Sequence, residues 1–460
     1  MEIEELSNKK ICVVGLGKSG LAVIKKLSGL GAQLCASESK PLNGIPAGTA
    51  DFLRTLNVPL ETGGHTPEFL SGCDLIVVSP GVHLDDAAVE GASAKGIPVI
   101  SEIELAFGFF TKPVIAVTGT NGKTTTTTLI AMILQKAGYK AAVAGNIGEP
   151  LINVDDTKYD YVVAEVSSYQ LEAILKFKPH VSVILNLTPD HLARHKTMEN
   201  YSAAKGRIFA NQTMQDALVY NAKDPLVEAL AKQARCQKIP FGQGVVSEKG
   251  AFINEGYLCR LRGNFVDAVC PVDAIKLRGS HNLENCLAAS SACLALDVPK
   301  EAIASVLMEF AGVEHRIETA GVINGVEFVN DSKATNPDST QAALKALAGK
   351  KNIVIILGGR DKGVDLAQMC RLIKAEAKAA VLIGEASSRF EEALLKEGFN
   401  SISRASCLDE AVKQSFGLSQ PGDVVLLSPA CASFDMFDDY EHRGRAFKEA
   451  VKRMEDASER

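Results

Sequence analysis

The chain has 460 residues, 46% of them hydrophobic and 23% charged, with a formal net charge of −6. At about 100–200 residues per domain, that length allows roughly two to four domains, and the acidic balance excludes the broad basic footprint of a nucleic-acid-binding protein. No apolar run approaches the ~18–20 residues of a membrane span, and residues 1–10 are polar, without the apolar stretch of a signal peptide.

The eleven cysteines include no Cys-x-x-Cys pair. They are expected to be buried thiols of a cytoplasmic α/β protein, neither disulfides nor zinc ligands. The first segment opens with an apolar strand at 11–14 that runs into Gly15-Leu16-Gly17-Lys18-Ser19-Gly20 and an amphipathic helix to about Leu30. Further strands are expected at 33–36, ending near Glu38, at 75–78, running into Ser79-Pro80-Gly81, and at 96–100. Strands alternating with helices predict a parallel, doubly wound sheet. Taken alone, Gly-x-Gly-x-x-Gly with an acid about 20 residues on reads as an NAD site, and a dehydrogenase would explain this segment.

Thr111-Lys112-Pro113 marks the link to a second domain. There the apolar run 114–118 breaks into Gly119-Thr120-Asn121-Gly122-Lys123-Thr124 and a helical segment. Such a strand–loop–helix cradles polyphosphate: backbone N–H groups at a helix N-terminus face the anion, the lysine adds charge, and the hydroxyl can ligate magnesium. The loop is shortened, since Val117 stands where the strict pattern has its first glycine. Five threonines, 124–128, open the helix although β-branched residues form helices poorly. Local propensity violated at one place points to a functional site. Strands follow at 161–164 and 181–185, then short β segments around 251–277 with a turn at Asn254-Glu255-Gly256. The helix after Pro299 is expected to end before Gly312.

A hairpin opens the third domain, with 316–323 and 326–330 alternating around Asn324-Gly325. Apolar runs at 353–357, 381–383 and 424–427 then lead into Gly358-Gly359, Gly384 and Ser428-Pro429. These are expected to be parallel strands whose carboxyl-end loops bind ligand. The expected architecture is therefore α/β in three domains. They are an N-terminal Rossmann-like parallel sheet (1–111), a central P-loop ATPase-like domain (112–312) and a C-terminal Rossmann-like domain (313–460).

Uncommon clusters close several strands. Glu165 precedes Val166-Ser167-Ser168-Tyr169-Gln170, and Asn186-Leu187-Thr188-Pro189-Asp190-His191 ends the next strand. Asn330-Asp331-Ser332-Lys333-Ala334-Thr335-Asn336-Pro337 follows the hairpin. Gly358-Gly359-Arg360-Asp361-Lys362-Gly363 and Ser428-Pro429-Ala430-Cys431-Ala432-Ser433-Phe434-Asp435 close two more strands. In order, and over essentially the whole chain, these clusters resemble the Mur ligases, ATP-dependent amide-forming enzymes of peptidoglycan precursor synthesis. The clusters from Asp331 and from Ser428 resemble the branch that adds D-glutamate. No Asp-x-Pro-Arg signature of the diaminopimelate-adding branch is found in the third domain.

The resemblance implies that ATP converts the L-alanine carboxylate of UDP-N-acetylmuramoyl-L-alanine to an acyl phosphate, which the D-glutamate amine displaces. It also implies two magnesium ions, small-molecule partners only, and a monomer. It assigns Gly119, Thr120, Asn121, Gly122, Lys123, Thr124 and Thr125 to ATP, with Asn282, Arg316, Asp331 and Lys333 as further contacts. The metal site it implies comprises Thr124, Glu165, His191 and Lys205, the last as a carbamate formed with CO₂. Lys123, His191 and Lys205 are then the catalytic set. Gly17, Lys18, Ser19, Glu38, Ser39, Lys40, Ser79, Pro80, Gly81 and Asn146 fall to the UDP substrate, and His191, Thr335, Lys362, Ser433 and Phe434 to D-glutamate.

The chemistry is consistent: glutamate oxygen suits magnesium, and a carbamate needs an amine deprotonated by burial or neighbouring charge. Plainer roles remain open for the same residues. Glu165 can also read as a helix cap, Asn146 and Asp331 as turn residues, Arg316 as half of a surface ion pair, and Lys205 as a solvated helix lysine. A sibling ligase or a folylpolyglutamate synthetase-like enzyme would share the phosphate loop and differ in substrate.

Overall fold

The computed structural model describes residues 3–458 apart from 46, 47, 278, 348, 350 and 362. The chain divides into two compact units, Met1–Ala274 with Glu284–Met308, and Ile275–Leu283 with Glu309–Arg460.

The first unit holds two parallel sheets. Strands β1 (Lys10–Val14), β2 (Gln33–Glu38), β3 (Leu60–Thr62), β4 (Leu75–Val78) and β5 (Val99–Ser101) lie in the order β3-β2-β1-β4-β5. β1 and β4 are apolar and buried along nearly their whole length, as strands covered by helices on both faces must be. Strand order reverses between them, so a crevice opens at their carboxyl ends. The helix Lys18–Ser28 leaves the glycine turn there and stops two residues short of the expected end.

The second sheet contains β6 (Val114–Thr118), β7 (Ala141–Gly145), β8 (Tyr161–Glu165), β9 (Val181–Ile184), β10 (Ala217–Asn221) and β11 (Gln237–Phe241), ordered β11-β10-β9-β6-β8-β7. β6 runs through its middle with all five residues buried. A small antiparallel sheet of β12 (Ala251–Asn254), β13 (Tyr257–Arg262) and β14 (Phe265–Pro271) follows. Glu255 and Gly256 make its first turn, both at positive φ.

In the second unit, β15 (Glu318–Ile323) and β16 (Val326–Asn330) form the expected hairpin, with Asn324 at φ 49° and Gly325 at φ 79° as a type I′ turn requires. β17 (Ile353–Gly358), β18 (Ala377–Ile383), β19 (Ile402–Arg404) and β20 (Val424–Leu427) complete a sheet ordered β15-β16-β20-β17-β18-β19, parallel except for the hairpin. The two-residue period of a strand sends Ile353, Ile355, Leu357 and Leu426 into one core, and Val354, Ile356, Val425 and Leu427 into another on the opposite face.

Among the described residues no helix is long and apolar enough to cross a membrane. All eleven cysteines are free. Ten are buried as expected, and Cys407 departs from that expectation by being exposed.

Candidate functional site

β6 delivers the chain into a tight turn. Gly119 has φ +149° and Gly122 φ +87°; a Cβ on Gly122 would collide with Asn285 Oδ1, so only glycine fits. Gly122 ends the turn and caps the helix Lys123–Lys136. The Lys123 ammonium folds back over the turn, donating to the carbonyls of Gly119 (2.9 Å) and Thr120 (2.7 Å). From across the sheet, Asn186 braces the turn: Asn121 N–H donates to its Oδ1 at 2.8 Å, and its Nδ2 donates back to the Asn121 carbonyl at 3.0 Å. The threonine run is mostly buried, with Thr124, Thr125, Thr126 and Thr127 facing inward. The Thr126 hydroxyl lies 3.4 Å from Asn285 Oδ1.

Glu165 ends β8, beside β6, and is 3% exposed. Its Oε2 accepts from the Thr124 hydroxyl at 2.8 Å and its Oε1 from Asn146 Nδ2 at 2.8 Å. Thr124 and Glu165 therefore present two hard oxygen donors side by side at a helix N-terminus. Asn146, the residue after β7, is exposed, and its backbone N–H also donates to the Glu165 carbonyl at 2.9 Å.

Lys205 reads as a surface lysine, yet it is only 2% exposed. The helix Met198–Gly206 turns it inward, where Nζ donates to the Gly119 carbonyl at 2.9 Å and lies 3.4 Å from Thr118 Oγ1 and 4.8 Å from the centre of the Tyr201 ring. Burial, reinforced by the charge of Lys123, holds its pKa well below the ordinary lysine value against the opposite pull of Asp190 and Glu165. Lys123, Thr124, Glu165 and Lys205 thus gather around one turn. Among the described residues no three His, Cys, Asp or Glu side chains form a ready-made metal cage.

His191 sits at φ 55° with Asp190 Oδ1 accepting from its own N–H at 2.9 Å; its ring packs 4.9 Å from that of Tyr169. Four residues on, His195 is buried between Tyr201 and Tyr169 and bonds Ser168 Oγ at 2.9 Å. Burial keeps it below the ordinary histidine pKa despite the nearby Glu172.

In the N-terminal crevice, Gly15 stands at φ +88°, and a Cβ on Gly20 would meet the Gly15 carbonyl oxygen. Glu38 points back into this turn: Oε2 accepts from Leu16 N–H at 2.8 Å, and Oε1 from Lys40 N–H at 3.1 Å and Ser39 Oγ at 3.2 Å. Burial alone would raise its pKa, but those hydrogen bonds outweigh burial and hold it below the usual carboxylate value. Ser79 Oγ donates to the Gly15 carbonyl at 2.7 Å, tying the 79–81 loop to the glycine turn. Gly17, Lys18 and Gly81 are exposed around the crevice and Ser19 and Pro80 half-buried. Lys18 Nζ donates to the Gly148 carbonyl at 2.8 Å.

The second unit carries Asn282, Arg316, Asp331, Lys333, Thr335, Ser433 and Phe434. Asp331 is buried, accepting from Ser428 Oγ (2.7 Å) and Ile317 N–H (3.3 Å), and burial pushes it up to about 7 against the pull of Ser428 and Arg316. Lys333 Nζ lies 3.3 Å from the Tyr440 hydroxyl and over its ring. Thr335 is half-buried, Ser433 buried, and Phe434 63% exposed; Lys362 lies outside the described residues. Sequence reasoning missed Arg443, 1% exposed, which donates to the carbonyls of Ser332 and Cys431 and so ties together the loops after β16 and β20. Asn186, Arg194 and Asn285 were missed as well. Only Asn186 carried a signal, its place at a strand end beside the phosphate turn.

Three family profiles cover the chain: Mur ligase MurD-like, N-terminal domain, at residues 9–101; Mur ligase middle domain at 117–293; and Mur ligase, glutamate ligase domain, at 315–431. The chain is 43% identical over 455 residues to a UDP-N-acetylmuramoylalanine--D-glutamate ligase of Thermoanaerobacter sp. (strain X514), covering 98% of this chain and 99% of that protein. A protein of the same name from Pelotomaculum thermopropionicum is 44% identical over 98% of both chains. Among solved structures, UDP-N-acetylmuramate-alanine ligase from Thermotoga maritima superposes with a TM-score of 0.58 at 21% identity, over 97% of this chain and 100% of that one. A pseudomurein peptide ligase type C from Methanothermus fervidus superposes with the same score at 18% identity, over 97% and 100%. These two likenesses speak to fold.

Proposed function

The chain belongs to the Mur ligase family, and on that premise we propose that it couples D-glutamate to UDP-N-acetylmuramoyl-L-alanine at the expense of ATP. The observation that carries the chemistry is the gathering of Lys123, Thr124, Glu165 and Lys205 at the turn after β6. A carboxylate does not react with an amine until it has a better leaving group. The γ-phosphoryl group of ATP therefore passes to a carboxylate oxygen of the L-alanine residue, the bond to the β–γ bridging oxygen breaks, and ADP leaves. The D-glutamate nitrogen then attacks the acyl carbon, loses a proton, and expels phosphate. Phosphoryl transfer needs positioning and charge neutralisation more than covalent help, and those are what this turn offers.

Each residue has a task. Lys123 swings from its carbonyl partners to the β- and γ-phosphates, and the N–H groups of the turn face the same oxygens. Thr124 and Glu165 fit magnesium, being adjacent oxygen donors of the hard type that ion prefers. When bound, magnesium neutralises charge on the phosphates and orients them. Asn146 holds the free oxygen of Glu165 so that the carboxylate cannot rotate. Lys205, a buried amine held toward its neutral form, is suited to take up CO₂ and become an anionic ligand for a second ion, with His191 as a further ligand. The crevice between β1 and β4 takes the UDP end of the substrate on Gly17, Lys18, Ser19 and the 79–81 loop, with Glu38 beneath the turn and Ser39 and Lys40 at its rim. Thr335, Lys362, Ser433 and Phe434 receive D-glutamate, and Asn282, Arg316, Asp331 and Lys333 add nucleotide contacts. The protein acts in the cytoplasm as a monomer.

The test is a panel of amino acids with UDP-N-acetylmuramoyl-L-alanine, ATP and magnesium, scored by phosphate release. Release that needs all components and is fastest with D-glutamate supports this reading. Phosphate release that is absent with D-glutamate, or faster with another amino acid of the panel, would overturn it.

A further inference from the structure

Arg194 is not among the residues that the resemblance assigns, yet its side chain is only 9% exposed and every edge of its guanidinium is used. Nε lies 3.1 Å and 3.3 Å from the two Glu172 oxygens, and Nη2 donates to Glu172 Oε2 at 2.6 Å. The outer edge reaches the loop after β4: Nη1 donates to the Pro80 carbonyl at 3.0 Å and Nη2 to the Val82 carbonyl at 2.7 Å. Its face stacks on Tyr169 at 4.3 Å, and the rings of His191 and His195 also pack against Tyr169. Arg194 stands three residues after His191 on the short helix Leu192–His195, and Glu172, its ion-pair partner, also lies 3.3 Å from Nδ1 of His195. One side chain therefore joins the 79–82 loop to the segment that carries His191.

The bonds have a direct consequence for the loop. A trans peptide points its carbonyl and the following N–H in opposite directions. Holding the Pro80 carbonyl thus fixes where the Gly81 N–H points. Val82 packs where a Cβ on Gly15 would lie, and Ser79 bonds the Gly15 carbonyl, so the glycine turn shares that constraint. A lysine could neither bridge two carbonyls and a carboxylate at once nor stack flat on a ring.

We propose that Arg194 is a positioning residue that sets His191 and the reacting carboxylate in register with the bound UDP end of the substrate, so that binding energy from that remote end is expressed as turnover. The proposal rests on the reading of the 79–81 loop as part of the UDP site. The test is a cycle in which the full-length wild-type protein, Arg194→Lys and Arg194→Ala are each assayed with UDP-N-acetylmuramoyl-L-alanine and with the same sugar-peptide 1-phosphate lacking uridine monophosphate. With the full substrate, both variants are expected to lose about a hundredfold in kcat, the scale of an ångström-sized misplacement, with KM for ATP unchanged. Wild type is expected to lose kcat on truncation of the substrate while the variants lose little more, because the link is already cut. Losses that multiply independently, or full turnover by Arg194→Lys, would overturn the proposal. Melting temperatures identify a variant that fails by unfolding, and Arg194→Lys carries the cycle if Arg194→Ala does not fold. A wild-type protein with no D-glutamate-dependent turnover would remove the premise and the proposal together.

Discussion

Two glycine turns in the first unit begin alike and end differently. Each follows a buried central strand of a parallel sheet, β1 or β6, and each opens a helix. Around Gly15 and Gly20 the protein offers backbone N–H groups and then spends one of them, on Leu16, bonding its own Glu38. Around Gly119 and Gly122 it adds Lys123, the buried Lys205, and the Thr124–Glu165 pair. A diphosphate that is only to be held needs oriented N–H donors. A triphosphate that is to be broken needs mobile positive charge and metal-binding oxygens as well, because charge shifts among its oxygens during transfer. On the proposed reading the same local geometry would serve binding in one sheet and chemistry in the other, and the difference lies in what neighbouring strands deliver to the turn.

That division can be broken by experiment. The largest effect is expected from Lys123→Ala, which should cut ATP-dependent turnover about a thousandfold, by removing the main cation at the phosphates. Calorimetry should find the UDP substrate still bound normally, and equal losses at both sites would merge the two turns into one. Lys205→Ala comes next, with a loss of roughly a hundredfold that a small added carboxylate partly restores. Undiminished rates at limiting magnesium would refute the carbamate.

Gly20→Ala should act on the other turn alone. Its new Cβ meets the Gly15 carbonyl, so the UDP-substrate KM should rise about tenfold, worth some 1.4 kcal/mol, while the KM for ATP stays put. Glu38→Gln is the mildest. It exchanges a charged acceptor for a neutral one and should cost about 1 kcal/mol of stability at neutral pH in denaturant titration. Because Glu38 is held below its unfolded pKa, its contribution is present above that value and lost as pH falls through the folded one. The stability gap between variant and wild type should therefore close in acid; a constant gap would place the cost in packing.

Both turns were legible in the sequence because glycine spacing after an apolar strand is a local signal, and so was the Asn324-Gly325 hairpin. Strands β3 and β19 are only three residues long, β7 is mostly alanine, and β11 carries Pro240 at a sheet edge, so none announces itself by propensity. β10 (Ala217–Asn221) is apolar enough to have been read and was overlooked. Lys205 shows why a site is harder to read than a fold. Its helix lacks a clear apolar face, and the groups that bury it, Thr118, Gly119 and Tyr201, are set around it by tertiary structure. Arg194 and Arg443 are harder still, since arginine is ordinarily exposed and nothing adjacent marks either as enclosed.

On the proposed reading, the turn after β6 activates a carboxylate by phosphorylating it. The most direct measurement of this step is isotope transfer. UDP-N-acetylmuramoyl-L-alanine carrying oxygen-18 in the alanine carboxylate is converted with ATP, magnesium and D-glutamate, and the released phosphate is weighed by mass spectrometry. One labelled oxygen is expected in each phosphate, carried across when the acyl–oxygen bond breaks. Phosphate released without label, alongside normal amide formation, would contradict it.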